Sequence, residues 1–220
     1  MGVSSNEDVT PEVIDANPRD LAARVLRLSR PPRRTIIGIT GPPGTGKSTL
    51  VRQIVNELPA EARAAVVPMD GFHFSTAILR SLGRESRKGA IDTFDAAAFA
   101  VLMERLRTQT GGPVYAPDFD HGIGEPIAAS IVVPEDAVIV LTEGNYLLSD
   151  QASWKRARAV LDEVWYLRTP RQTRIERLIA RHVASGKSLE AATEWANGSD
   201  ERNARLIAQS ARNADLILNA

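Results

Sequence analysis

No cysteine occurs in the 220 residues. That removes disulfide scaffolds, thiolate metal sites and thiol nucleophiles together. Net charge is missing as well. Lys and Arg total 27 and Asp and Glu total 27, so the totals offer no basic face for nucleic acid. No long apolar run exists. The longest, Ala96 to Met103, falls far short of the roughly 20 residues a membrane span needs. Met1 to Asp20 is polar and acidic and lacks the apolar core of a secretion signal. These absences point to a soluble, cytoplasmic protein with no membrane and no nucleic-acid partner. Only three histidines are present, and they have no metal-ligand spacing. No Ser-His-Asp arrangement is locally visible. Aromatic residues make up 5% of the chain, and its three tryptophans, Trp154, Trp165 and Trp195, read as core or interface residues.

What is present is an ordinary globular composition, with 43% apolar and 25% charged residues, enough for one large α/β domain. Residues 1–17 read as frayed, and Pro18 to Leu28 as a helix with Leu21, Val25 and Leu28 on one stripe. Residues 1–34 thus form an N-terminal extension and helix before a domain at 35–220. Thr35 to Thr40 is a buried strand, followed by a glycine-rich turn and a helix from Lys47 to Leu58. Ala64 to Met69 is a second strand, Ser75 to Leu82 a short helix, and Gly83 to Ala90 a mobile loop. Asp92 or Thr93 caps a helix to Gln109 with Phe94, Val101, Leu102 and Leu106 inward. Val114 to Phe119 and Ile127 to Val133 form a hairpin within 112–133, turning at His121 to Gly124. Ala137 to Leu141 and Glu163 to Leu167 are further strands. Helices follow at 151–161, 170–184, 189–197 and 200–213, and Leu216 to Leu218 closes as a strand. Strands alternating with helices imply a parallel central sheet with helices on both faces.

Gly41-Pro-Pro-Gly-Thr-Gly-Lys-Ser48 matches G-x-x-x-x-G-K-[ST] between a strand and a helix. This pattern defines a P-loop. Its glycines, Gly41, Gly44 and Gly46, let the backbone turn its N–H groups inward, with Thr45 between them. The start of the helix adds unpaired amides and the positive end of its dipole. Lys47 then reaches the β- and γ-phosphates of ATP, Ser48 ligates Mg²⁺, and Thr49 supports the α-phosphate.

The motif leaves open what happens to the phosphate. No guanine-reading Asn-Lys-x-Asp occurs. The apolar strand at 137–141 runs into Thr-Glu-Gly rather than the Asp-Glu of motor ATPases. Glu143 at its end can hold Mg²⁺ opposite Ser48. Loops at 70–95, 112–127 and 168–188 are long enough to surround a small acceptor. These features favour a metabolite kinase. The rival is a nucleotide-switch NTPase with no small-molecule acceptor.

The chain from Thr35 to Leu218 resembles the uridine kinase, phosphoribulokinase and type I pantothenate kinase family of P-loop kinases. The P-loop carries the resemblance together with five other segments. They are Met69-Asp-Gly-Phe-His73, Lys88-Gly-Ala-Ile-Asp-Thr-Phe-Asp95, Pro113-Val-Tyr-Ala-Pro-Asp-Phe119, Glu143-Gly-Asn-Tyr-Leu147 and the arginine-bearing run Thr173 to His182. The resemblance implies a five-stranded P-loop NTPase fold and transfer of the γ-phosphate of ATP to a hydroxyl. It implies Asp70 as the base and an arginine lid at 170–188. Arg174 there is catalytic, and Arg177 and Arg181 contact the nucleotide. It places Phe72, His73, Phe94, Tyr115 and His121 around the acceptor, although Phe72 and Phe94 equally fit a core. The interruption of Tyr115 from Asp118-Phe119 by Ala116-Pro117 departs from the continuous run of uridine kinases. A nucleoside, a sugar and a pantothenate-like acceptor all remain open, and so does assembly as a homodimer.

Overall fold

Runs of β-branched residues build the sheet. Two interior runs, Thr-Ile-Ile-Gly-Ile-Thr and Ile-Val-Leu-Thr-Glu-Gly, are buried along their whole length, as parallel strands covered on both faces must be. The computed structural model describes residues 10–220. Its strands are β1 (Glu12–Asp15), β2 (Thr35–Thr40), β3 (Ala64–Pro68), β4 (Val114–Asp120), β5 (Glu125–Val133), β6 (Ile139–Gly144), β7 (Glu163–Arg168) and β8 (Leu216–Asn219). Its helices are α1 (Pro18–Leu28), α2 (Lys47–Glu57), α3 (Thr76–Ser81), α4 (Ala96–Thr108), α5 (Ala152–Arg158), α6 (Arg171–Ala184), α7 (Leu189–Trp195) and α8 (Glu201–Gln209). Six strands form one parallel sheet in the order β1-β8-β7-β2-β6-β3. β4 and β5 pair antiparallel as a separate hairpin.

Alternation along the strands feeds two cores. Ile37, Ile39, Leu141 and Leu167 face Leu21 and Val25 of α1 and Leu50 and Ile54 of α2. Ile36, Val140 and Val164 point the other way, toward Phe99 and Met103 of α4, Trp154 of α5 and Ile207 of α8. Each fully buried aliphatic or aromatic side chain contributes about 1.5–3 kcal/mol. Arg34 is buried without a carboxylate partner. Its guanidinium donates to the carbonyls of Leu106, Gln109, Pro134, Glu135 and Ala137, closing the end of α4 onto the β5–β6 connection.

Three expectations are corrected here. Of the frayed stretch 1–17, residues 1–9 lie outside the described residues, but Glu12–Asp15 is a strand in register with Leu216–Asn219. The sheet therefore has six strands rather than five. Asn17 then caps α1, accepting from the amides of Arg19 and Asp20. The third correction concerns α4, which starts at Ala96 and not near Thr93. Asp95 accepts from the Ala98 amide, and Thr93 instead bonds Gly89 and Ala90 in the preceding turn. Phe94 consequently precedes the helix, and Val101 is 51% exposed.

The carboxyl ends of β3 and β6 lie side by side, with Pro68 opposite Glu143. The next residue on each strand, Met69 and Gly144, nearly touches its neighbour. A Cβ on Gly144 would sit 2.4 Å from the Met69 Cβ and 2.7 Å from its sulfur. Gly144→Ala is therefore expected to lower stability by about 1–3 kcal/mol, measured as the urea unfolding midpoint. A wild-type midpoint would mean that this contact has slack.

Candidate active site

β2 ends at Thr40 and the chain turns through residues 41–46 into α2. Gly44 and Gly46 have φ of 80° and 95°, values that side-chain-bearing residues rarely adopt. At Gly44 space is also absent, since a Cβ would lie 2.7 Å from the Arg174 carbonyl. No side chain caps α2, so its first amides are left for an anion.

The loop is held from behind. Thr45 Oγ1 donates to the Pro42 carbonyl, and Thr169 Oγ1 donates to the Thr45 carbonyl. Arg174 donates to the Pro43 carbonyl and pairs with Glu201 at 3.1 Å. Lys47 Nζ donates to the carbonyls of Gly41 and Pro42 and, at 2.8 Å, to Asn145 Oδ1. Burial pushes the Lys47 ammonium down to about 8, against the opposing pull of Glu143 and Asp70.

Ser48 Oγ donates to Glu143 Oε1 at 2.7 Å, so the two oxygens expected on Mg²⁺ do converge. Burial first, and the charge of Asp70 second, hold the Glu143 carboxyl above its ordinary range. Among the described residues no cluster of three His, Cys, Asp or Glu exists. An alcohol and a carboxylate with no further protein ligand suit an ion that keeps waters and takes phosphate oxygens, as Mg²⁺ does.

Asp70 lies in the turn Met69–Phe72 that follows β3. Among the described residues no donor of the chain bonds its carboxylate. The turn is fixed by its backbone. His73 N and Nδ1 both donate to the Asp70 carbonyl, at 3.2 and 2.8 Å. Against Gly71 the hairpin leaves no room, because a Cβ there would meet the Pro117 carbonyl at 2.4 Å.

A cavity of about 740 Å³ joins these groups, toward the upper end of the usual range for ligand pockets. Gly44, Gly46, Lys47, Ser48, Thr49, Arg177 and Arg181 line one part, and Asp70 and Glu143 its floor. His73, Phe94, Phe119 and His121 line another. The His73 ring lies 3.9 Å from Phe94 and 4.8 Å from Phe119, with His121 5.2 Å beyond, centroid to centroid. Burial lowers the His73 ring below its ordinary value, with Asp70 opposing.

Several expected residues are elsewhere. Phe72 is buried edge-on against Phe99 in the core. Tyr115 is 52% exposed and off the cavity, because a bulge between Ala116 and Asp118 shifts the alternation of β4 and turns Phe119 inward instead. Gly41 and Thr45 shape the loop from behind rather than line the cavity. Arg174 is 6% exposed and also faces away from it, because Glu201 draws its guanidinium toward α8. Arg174 is thus a positioning residue. Asn145, Lys88, Phe119, His182, Trp195, Asp200 and Asn203 line the cavity without having been singled out for it. Asn145, Lys88, Phe119 and His182 do fall inside the segments that carry the family resemblance. Nothing local marks Asp200 or Asn203.

Known proteins resemble this chain over most of its length. The model of the phosphoribulokinase / uridine kinase family matches residues 36–220. The Schizosaccharomyces pombe protein named "Putative uridine kinase C227.14" is 33% identical over 208 residues, 90% of this chain and 88% of that one. Escherichia coli YggC, an uncharacterized protein, is 34% identical over 199 residues, 88% and 81% of the two chains. The crystal structure of a "putative fructose transport system kinase" from Silicibacter superposes with a TM-score of 0.84 at 36% identity. It covers 91% of this chain and 98% of that one. The chain belongs to the phosphoribulokinase / uridine kinase family, and it is an ATP-dependent P-loop kinase that phosphorylates an alcohol group.

Proposed function

We propose that the enzyme transfers the γ-phosphate of Mg²⁺-ATP to a hydroxyl of a small metabolite, a nucleoside, a sugar or a pantothenate-like compound, with Asp70 as general base. The observation that carries this is the unbonded Asp70 carboxylate in the same cavity as Lys47 and the Ser48–Glu143 pair. A carboxylate beside a phosphate site needs a proton to accept, and an acceptor hydroxyl supplies one. The aromatic and histidine wall beside it offers the acceptor a place that a nucleotide switch does not need.

In the reaction the acceptor oxygen forms a bond to the γ-phosphorus. The bond from that phosphorus to the β–γ bridging oxygen breaks, and the acceptor proton passes to Asp70. Lys47, released from the loop carbonyls, follows the charge on the β- and γ-phosphates. Arg177 and Arg181, exposed on α6 and lining the cavity, stabilise charge on the transferring group. Ser48 and Glu143 would hold Mg²⁺, whose charge offsets that of the phosphates when it is bound. Arg174 keeps the loop shaped, through the Pro43 carbonyl. Among the described residues no helix is long and apolar enough to cross a membrane.

Two experiments test this reading. With ATP and Mg²⁺, a panel of nucleosides, ketoses, polyols and pantothenate should include compounds that raise ADP release. Asp70→Asn should cut that turnover by about 10²–10⁴-fold while leaving the affinity for a non-hydrolysable ATP analogue near wild type. Full turnover in the variant removes Asp70 from the chemistry. The second experiment separates the arginines. Arg181→Ala should lower kcat by about 10²-fold at an unchanged urea midpoint. Arg174→Ala should lower the midpoint, by an amount corresponding to about 3 kcal/mol of stability, since it breaks a buried pair. Loss of kcat in Arg174→Ala with a wild-type midpoint would return that residue to the reacting phosphate.

A further inference from the structure

The cavity has a third carboxylate, one that phosphoryl transfer does not use. Asp200 ends the π-helical turn Ala196–Asp200 between α7 and α8, an irregularity that often accompanies functional sites. It is only 8% exposed and lines the cavity. His182 Nε2 donates to its Oδ2 at 2.8 Å. Among the described residues Oδ1 has no hydrogen-bond partner in the chain, yet it is not among the fully occluded polar atoms without one. A buried carboxylate oxygen kept open toward a cavity calls for a ligand donor.

The neighbours of Asp200 place it at the acceptor end. Asn203, three residues on along the helix, also lines the cavity and gives one amide hydrogen to the Gly89 carbonyl at 3.3 Å. Tyr146 Oη donates to the same carbonyl at 2.7 Å. Burial, with Asp200 and Asp70 adding to it, holds the Tyr146 hydroxyl well above its ordinary value. Lys88, next to Gly89, stands 5.3 Å over the Phe119 ring of the acceptor wall. The α7 side is closed by Trp195, against which Lys187 stacks at 4.7 Å.

We infer that Asp200, aligned by His182 and joined by Asn203, is a specificity-determining residue that reads hydroxyls of a neutral polyhydroxylated acceptor. This rests on the kinase reading above and narrows its acceptor class. The argument is one of elimination by charge. A carboxylate or phosphate on the acceptor at this point would meet Asp200 in a cavity that already carries Asp70. An ammonium there would meet Arg181, Lys187 and Lys88, which line the same cavity. An uncharged hydroxyl suits both. It donates to Asp200 Oδ1, and the hydroxyl beside it accepts the second amide hydrogen of Asn203. Residues three apart on a helix share a face, so the two side chains present an acceptor and a donor side by side to the cavity.

The test uses the full chain and two readouts. Trp195 is the one tryptophan that lines the cavity, whereas Trp154 and Trp165 are fully buried. D-ribose, D-fructose, D-mannitol, uridine, D-glycerate and ethanolamine are titrated into enzyme saturated with a non-hydrolysable ATP analogue, and tryptophan fluorescence is followed. A Trp195→Phe control identifies the signal. ADP release with ATP is measured on the same set. At least one neutral polyol should bind saturably, and Asp200→Asn should weaken it at least tenfold. In turnover the same variant should raise KM for that compound at least tenfold, with a smaller change in kcat and unchanged affinity for the ATP analogue. The deoxy form lacking the hydroxyl that Asp200 reads should bind the variant and the wild type equally. Preference for glycerate or ethanolamine over every neutral polyol overturns the inference while leaving the kinase reading intact. Equal KM in variant and wild type does the same. Saturable polyol binding that depends on Asp200, without any acceptor-stimulated ADP release, would keep the site and remove the kinase reading.

Discussion

The arrangement depends on one ammonium taken out of water. Lys47 is buried beneath the loop that it serves, and an isolated buried charge is prohibitively expensive. Two carbonyls of the loop itself and the Asn145 amide oxygen offset that cost. The same contacts hold the backbone in the curl that turns its amides toward phosphate. A charge that must be solvated by the loop thus enforces the loop conformation that binds the ligand. Behind the curl, Arg174 and Thr169 occupy carbonyls that would otherwise compete for the inward face. An entering triphosphate gives the ammonium a better partner than any it has in the free protein, so nucleotide affinity draws on tension already present in the site.

The carboxylates come from backbone constraints of a different kind. Asp70 follows β3 and Glu143 lies near the end of the adjacent parallel strand β6, and ligands gather at the carboxyl edge of such a sheet. Met69 can lie across β6 only because Gly144 has no side chain. Gly71 lets the hairpin press on the turn that presents Asp70. The proposed acceptor wall and the proposed base are therefore parts of one packed unit. The hairpin that contributes Phe119 and His121 also fixes the backbone next to Asp70. On the proposed roles, a change in hairpin register would move specificity and chemistry together.

What was legible in the sequence was what local pattern encodes. The P-loop, the strand before it and the acids at the ends of β3 and β6 each depend on residues within a few positions. Ser48 opens the helix that follows β2, and Glu143 lies near the end of β6, the strand paired with β2, so the two meet. The misreadings depend on distant partners. The direction of Arg174 is decided by Glu201, 27 residues on. The exchange of Tyr115 for Phe119 is decided by a bulge at Pro117, whose cause is the turn it abuts. Asp200 reaches the cavity only because a π turn rotates it there, and no periodicity announces an extra residue in a helix. The first strand was missed because Glu-Val-Ile-Asp is short, flanked by polar residues and mostly exposed. Its identity lies in pairing with the far end of the chain.

That first strand has a further effect. β8 is short, apolar and paired on one side by β7. Without Glu12–Asp15 its other side would present a row of open amides and carbonyls, an invitation to strand pairing between molecules. The opening segment of the domain therefore guards against aggregation. The outer strand that replaces β8 at the margin carries acidic groups at both ends, Glu12 and Asp15, and charge on a bare margin discourages another chain from adding to it.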